Sequence, residues 1–306
     1  MRNRTRHIIE SEVNQVTSRS KDSYMSRPVS VDDDQEMSKK PKEIAETLCE
    51  AGVSKAELPL DKMFVLAILA GAYIAFGCHL ATAVSMDSQP FIGAGLTSLI
   101  MGSVFSVGLM LVVLGGAELF TGNSLMALSC LSGRMKLAGL LRSWVVVYAG
   151  NLAGALIMAG LVFAAGMYGV SGGALGLREI AIANAKVNIP FTEALFRGVL
   201  CNWLVCLAVW IATSSTDTVG KICSCFFPIM AFVASSFEHS VANMFFIPIG
   251  ILVRGVPVMA SKTSLDLANL TWGGFVAGNL IPVTIGNVVG GVLFVATLYW
   301  YSYLRK

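Results

Sequence analysis

The chain has 306 residues, of which 55% are hydrophobic and only 13% charged, and about half of those charges lie before residue 60. So apolar a composition excludes an ordinary soluble domain and indicates a polytopic, all-α membrane protein. The formal net charge of +3 implies no nucleic-acid partner; the seven Cys, mostly inside apolar runs and at no zinc or disulfide spacing, imply neither a metal nor a cofactor.

Residues 1–40 are polar, mixed in charge and poor in aromatics, without the apolar run of a signal peptide, and read as a disordered tail. In the next segment Ile44, Leu48 and Ala51 recur at i, i+4 and i+7 while Glu43, Glu46 and Glu50 lie off that stripe. Residues 41–60 are therefore expected to form an amphipathic helix on the membrane surface and its linker. Residues 61–304 form the membrane domain. Its first span runs from about Met63 to Ala83, enough at about 1.5 Å per residue to cross a core of about 30 Å. The second apolar region, about Phe91 to Leu131, is too long for one straight crossing and is interrupted at Glu118 to Asn123. After a basic loop with Arg134, Lys136 and Arg142, a third span covers about Trp144 to Tyr168, and residues 169–190 read as a connection carrying Arg178, Glu179 and Lys186. A fourth span covers about Ala194 to Thr213, and a fifth, from about Cys223 to Val253, is broken at Glu238 to Asn243. The sixth covers about Trp272 to Tyr301.

The two interruptions match. Glu118 precedes Asn123 by five residues, as Glu238 precedes Asn243, and Gly150-Asn151 in the third span is echoed by Gly286-Asn287 in the sixth. Three spans per half force the halves, about 61–168 and 191–302, into opposite orientations. Interrupted spans at corresponding places of an inverted repeat point to a permeation site near mid-membrane. An ionisable residue at that depth costs about 2.5–3.5 kcal/mol on insertion scales, which singles out Glu238 and His239. The basic loop after the second span and the Arg305-Lys306 end place both termini in the cytoplasm.

Together, Glu118-Leu-Phe-Thr-Gly-Asn123, Lys186, Asn202 within Cys-Asn-Trp-Leu-Val-Cys, Phe237-Glu-His-Ser-Val-Ala-Asn243 and Ile281-Pro-Val-Thr-Ile-Gly-Asn-Val-Val-Gly-Gly291 resemble the formate/nitrite transporter family from about Pro41 onward. The resemblance implies an aquaporin-like six-helix protomer with two broken helices, assembled as a homopentamer in an inner or plasma membrane. Each protomer would carry a pore for small monovalent anions such as formate, nitrite or hydrosulfide, with protons as co-travellers. It makes His239 the central pore histidine and Thr121 the threonine of the facing loop. Lys186 and Asn243 become a positive ring beneath a vestibule, with Asn202 and Asn287 further polar positions. Phe105, Leu109 and Phe232 would form the periplasmic-side constriction, and Leu119, Phe120 and Val205 the cytoplasmic one.

Adjacent helical residues point apart, so Glu118 and Glu238 are expected to bond freed backbone N–H groups rather than substrate. An intramembrane enzyme is the rival class, because Glu238, His239, Ser240 and Thr121 are catalytic residue types. His239 and Ser240 are sequence neighbours, however, and cannot readily pair as base and nucleophile, and Gly169-Val-Ser-Gly-Gly173 lies in a connection without the strand-to-helix turn that gives Gly-x-Ser-x-Gly its meaning. A sodium-coupled carrier lacks carboxylates in the spans beyond Glu118 and Glu238. Transport of small anions, or of their conjugate acids, remains, with formate as the expected substrate.

Overall fold

The computed structural model describes residues 38–305, so all but the last three residues of the tail read over 1–40 lie outside the described part. Helix α1 (Pro41–Glu57) starts with Pro at its first position, and the Glu43 carboxylate accepts the Lys40 N–H at 3.1 Å. The apolar stripe traced in the sequence reaches only Ala51, yet the helix runs on through Gly52 to Glu57. A Cβ at Gly52 would overlap the Ser129 hydroxyl, so this glycine permits close approach rather than ending the helix. The apolar face of α1, with Ile44, Leu48 and Cys49, is covered by Leu125, Leu128, Trp210 and Val295 of the chain itself.

Among the described residues five helices are long and apolar enough to cross a membrane: α2 (Leu60–Ser85), α3 (Gln89–Gly115), α5 (Leu137–Ala164), α7 (Phe191–Ser214) and α10 (Gly274–Tyr303). Between α3 and α5 lie a 3-10 turn, Gly122–Met126, and the short α4 (Ala127–Leu131). Between α7 and α10 come α8 (Thr218–Ala234) and α9 (Ser240–Arg254), of 17 and 15 residues, each too short to cross alone. The second break is therefore central to its apolar region, whereas the first follows a 27-residue helix. Helix α10 contains two π-helical stretches, Gly274–Leu280 and Val292–Thr297.

Two stretches depart from the sequence expectation for identifiable reasons. Helix α5 begins at Leu137 rather than near Trp144, because Arg142 turns its guanidinium back to the carbonyls of Ala56 and Leu58, at 2.9 Å each, and so caps the end of α1. The supposed connection over 169–190 contains a 14-residue helix, α6 (Ala174–Val187). Its charged Arg178, Glu179 and Lys186 interrupt the apolar run but leave Leu175, Ile180, Ala183 and Val187 buried on one face, which packs against α9.

Small residues let the long helices touch backbone to backbone. A Cβ at Gly154 of α5 would overlap the Ile68 carbonyl oxygen of α2, and Gly286 and Gly290 of α10 face Leu195 and Val199 of α7 in the same way. Overpacking of such a contact costs about 1–3 kcal/mol. Gly154→Ala is therefore expected to lower the thermal midpoint of the detergent-solubilised protein. Gly160→Ala, which meets nothing within 4 Å, is expected not to lower it.

Candidate functional site

The site is built by the two breaks. At the first, Gly116 takes a left-handed conformation (φ 70°) after α3; at the second, Ser236 does so (φ 58°) after α8. A break frees backbone N–H and C=O groups that water cannot satisfy inside a membrane. Asn151 of α5 closes the first: its Nδ2 donates to Ala67 O (2.8 Å) and Glu118 O (2.9 Å), and its Oδ1 accepts the Phe120 N–H (2.9 Å). Asn287 of α10 closes the second in the same pattern, donating to Gly198 O (2.8 Å) and Glu238 O (2.9 Å) and accepting the Ser240 N–H (2.8 Å).

The backbone amide was the expected partner of Glu118 and Glu238, but each carboxylate takes a lysine and an asparagine instead. Lys55 Nζ donates to both Glu118 oxygens (2.9 and 3.0 Å) and to Asn123 Oδ1 (2.9 Å), and Asn123 Nδ2 donates to Glu118 (2.8 Å). Across the site Lys186 Nζ donates to Glu238 Oε1 (2.8 Å), and Asn243 Nδ2 donates to Glu238 Oε2 (2.7 Å) and to Asn279 Oδ1 (2.6 Å). A lone buried carboxylate is costly, and a lysine–asparagine cradle offsets that cost.

Between these clusters His239 caps the N-terminus of α9. Its Nδ1 accepts the Ala242 N–H at 3.1 Å, and its Nε2 lies 2.9 Å from Thr121 Oγ1. In a neutral imidazole only one nitrogen carries hydrogen. Acceptance at Nδ1 places that hydrogen on Nε2, which donates to Thr121 Oγ1 and leaves the threonine O–H free to donate elsewhere. Both side chains are buried, and Phe232 stacks on the imidazole at 5.9 Å while meeting Phe105 edge-on at 5.6 Å.

Two cavities approach this hydrogen bond. The larger, about 340 Å³, is lined by Phe105, Phe232, Lys186, Glu238, His239 and Asn243 among others. The smaller, about 280 Å³, is lined by Leu48 and Lys55 of α1 together with Leu109, Glu118, Leu119 and Asn123. Leu109 thus faces the opposite cavity from Phe105 and Phe232. Thr121, Asn202 and Asn287 line neither cavity; Asn202 Nδ2 donates to Thr121 O (3.2 Å), Ser124 Oγ (3.2 Å) and Asn287 O (2.6 Å), tying the first break to α10. Phe120 and Val205 are buried and also line neither, Phe120 packing edge-on against Trp144 and Tyr148 at 6.1 and 4.8 Å. Among the described residues no group of His, Cys, Asp and Glu is placed to hold a metal ion.

The family model for formate/nitrite transporters matches residues 42–301. The chain belongs to the formate/nitrite transporter family. It is 46% identical to a probable formate transporter of Methanothermobacter thermautotrophicus, over 88% of this chain and 98% of that one. It is 41% identical to the formate channel FocA of Escherichia coli strain K12, over 87% and 95%. A solved pentameric formate channel with formate bound superposes with a TM-score of 0.73 at 38% identity, covering 80% of this chain and 98% of that one. This formate/nitrite transporter is thus a multi-pass membrane protein of a transport family rather than an enzyme.

Two groups of this transporter's site escape its most conspicuous motifs. Lys55 sits four residues before Pro59, and Lys186 four residues before Pro190, at the start of the first span in each half. That shared spacing was the available signal for Lys55. Asn279, which accepts from Asn243 and donates to Lys186 O at 3.0 Å, lies in the first π-helical stretch of α10 and has no such signature.

Proposed function

We propose that this transporter assembles as a homopentamer in which every protomer passes formate through its own pore. The α8–α9 pair completes a sixth crossing, the halves form an inverted repeat, and both termini face the cytoplasm, so that the smaller cavity opens inward beneath α1. The pentameric formate channel and the formate transporters at 41–46% identity support this reading. So do the duplicated Lys–Glu–Asn cradles and the basic loop beside α4.

The observation that carries the mechanism is the His239–Thr121 hydrogen bond between two cavities. It is bounded by Phe105, Phe232 and Leu109, which offer an anion nothing in exchange for its water. A bare anion would lose hydration worth several kcal/mol there, whereas its neutral acid loses far less. Formate drawn into a vestibule therefore takes up a proton and crosses as the acid. The neutral His239 polarises Thr121, whose free O–H steadies the carboxyl group at the narrowest point. Protonating His239 itself would put a second N–H against that of Ala242, so it serves better as a fixed donor than as the proton carrier.

Purified protein in proteoliposomes, assayed by stopped-flow uptake for formate, nitrite and hydrosulfide, tests the substrate. Formate is expected to enter fastest and without sodium. A protein that admits nitrite or hydrosulfide but excludes formate would overturn the assignment.

A further inference from the structure

The cations of the larger cavity are not equivalent. Arg178, Lys186 and Arg197 all line it. Lys186 is committed to Glu238 at 2.8 Å, and Arg197 to Glu193 at 2.8 Å one helical turn earlier on α7. Arg178 forms no ion pair among the described residues. Its half-buried guanidinium is nevertheless held in place from two sides. Nε donates at 3.1 Å to Ser85 Oγ, the last residue of α2, and Nη2 lies 3.5 Å from Met101 Sδ on α3. Ser85 in turn donates its hydroxyl hydrogen to Thr82 O at 3.1 Å, so it is free to accept from Arg178. Glu179, the following residue, is buried and does not line the cavity, so it supplies no counter-charge there.

We propose that Arg178 is the anion-receiving group of this cavity. A monovalent carboxylate or oxyanion docks on its uncommitted Nη hydrogens before moving on to His239. Lys186 serves chiefly to neutralise Glu238. A guanidinium anchored at Nε and at one Nη nitrogen keeps its other edge available for a planar carboxylate, which suits formate. This assignment rests on reading the cavity as one end of an anion pathway.

The test measures formate uptake against formate concentration in proteoliposomes of wild type, Arg178→Gln, Arg178→Lys and Ser85→Ala, with assembly checked by size exclusion. At low ionic strength, where screening acts over about 30 Å, Arg178→Gln is expected to raise the half-saturating concentration about tenfold with the maximal rate little changed. In 1 M salt, where the Debye length falls to about 3 Å, the gap is expected to narrow. Arg178→Lys should recover most of the loss, because it restores the charge. Ser85→Ala, which releases Nε, should raise the half-saturating concentration to a smaller degree, and it carries the test if Arg178→Gln fails to assemble. Unchanged half-saturation in Arg178→Gln, or in Ser85→Ala should that variant have to stand in, overturns the proposal. So does an Arg178→Lys variant as impaired as Arg178→Gln. A wild type that transports no small anion would instead defeat the pathway reading itself, so the two failures are distinguishable.

Discussion

His239→Ala is expected to cut formate uptake about ten- to a hundredfold while the protein still assembles. The factor follows from the size of one hydrogen bond to a charged or strongly polar group, about 1.5–3 kcal/mol, lost at the point where the substrate has shed its water. The imidazole has two tasks, and the variant separates them. As the cap of α9 it accepts the Ala242 N–H, a loss worth about 0.5–2 kcal/mol of stability, and as the partner of Thr121 it orients that residue's hydroxyl. Thr121→Val keeps the cap and the shape but removes the hydroxyl, so it should reproduce the transport defect with little loss of stability. Stopped-flow uptake and thermal melting of the two variants check this directly, and wild-type flux in His239→Ala would sink the mechanism.

Lys186→Met is expected to be among the most destabilising single changes in the chain. The Lys186 and Glu238 side chains are 15% and 6% exposed, so removing the lysine strands a buried carboxylate, a change that typically costs about 3–5 kcal/mol. Lys55→Met should cost less, since Lys55 is 32% exposed and water can partly replace it at Glu118. Glu238→Gln in the Lys186→Met background is expected to recover much of the loss, because the amide keeps an oxygen for Asn243 without the charge. Thermal unfolding of wild type, Lys186→Met, Glu238→Gln and the double variant in one detergent gives the cycle. Equal stability of Lys186→Met and wild type would show that the pair is not buried in the assembled protein. The structure thereby changes what a lysine variant measures: a fall in transport by Lys186→Met mixes anion attraction with the integrity of the second break.

Much of the site was legible because a membrane leaves polar residues few places to be. The run from Glu238 to Asn243 could only mark a break, and the echo of Gly150-Asn151 in Gly286-Asn287 was visible as a repeat, although its role in closing the breaks was not. Partner choice was not legible. Freed N–H groups stood nearest in sequence to Glu118 and Glu238, but side chains from α5 and α10, far along the chain, reach those groups first and leave the carboxylates to Lys55 and Lys186. Helix α6 was missed for a related reason. Its charged residues resemble a polar loop until the cavity they line and the face they leave for α9 are both in view. The ends of the helices slipped wherever a basic side chain such as Arg142 folds back along apolar surface, because hydropathy counts its charge but not its reach.

The neutral-acid crossing is tested most directly by recording formate flux, external pH and membrane current together on the same proteoliposomes. One proton should disappear from the outside for each formate that enters, the rate should rise as the medium is acidified, and an imposed membrane potential should leave it unchanged. A formate flux that carries current and leaves external pH constant would mean that the bare anion crosses between His239 and Thr121, and would contradict the mechanism.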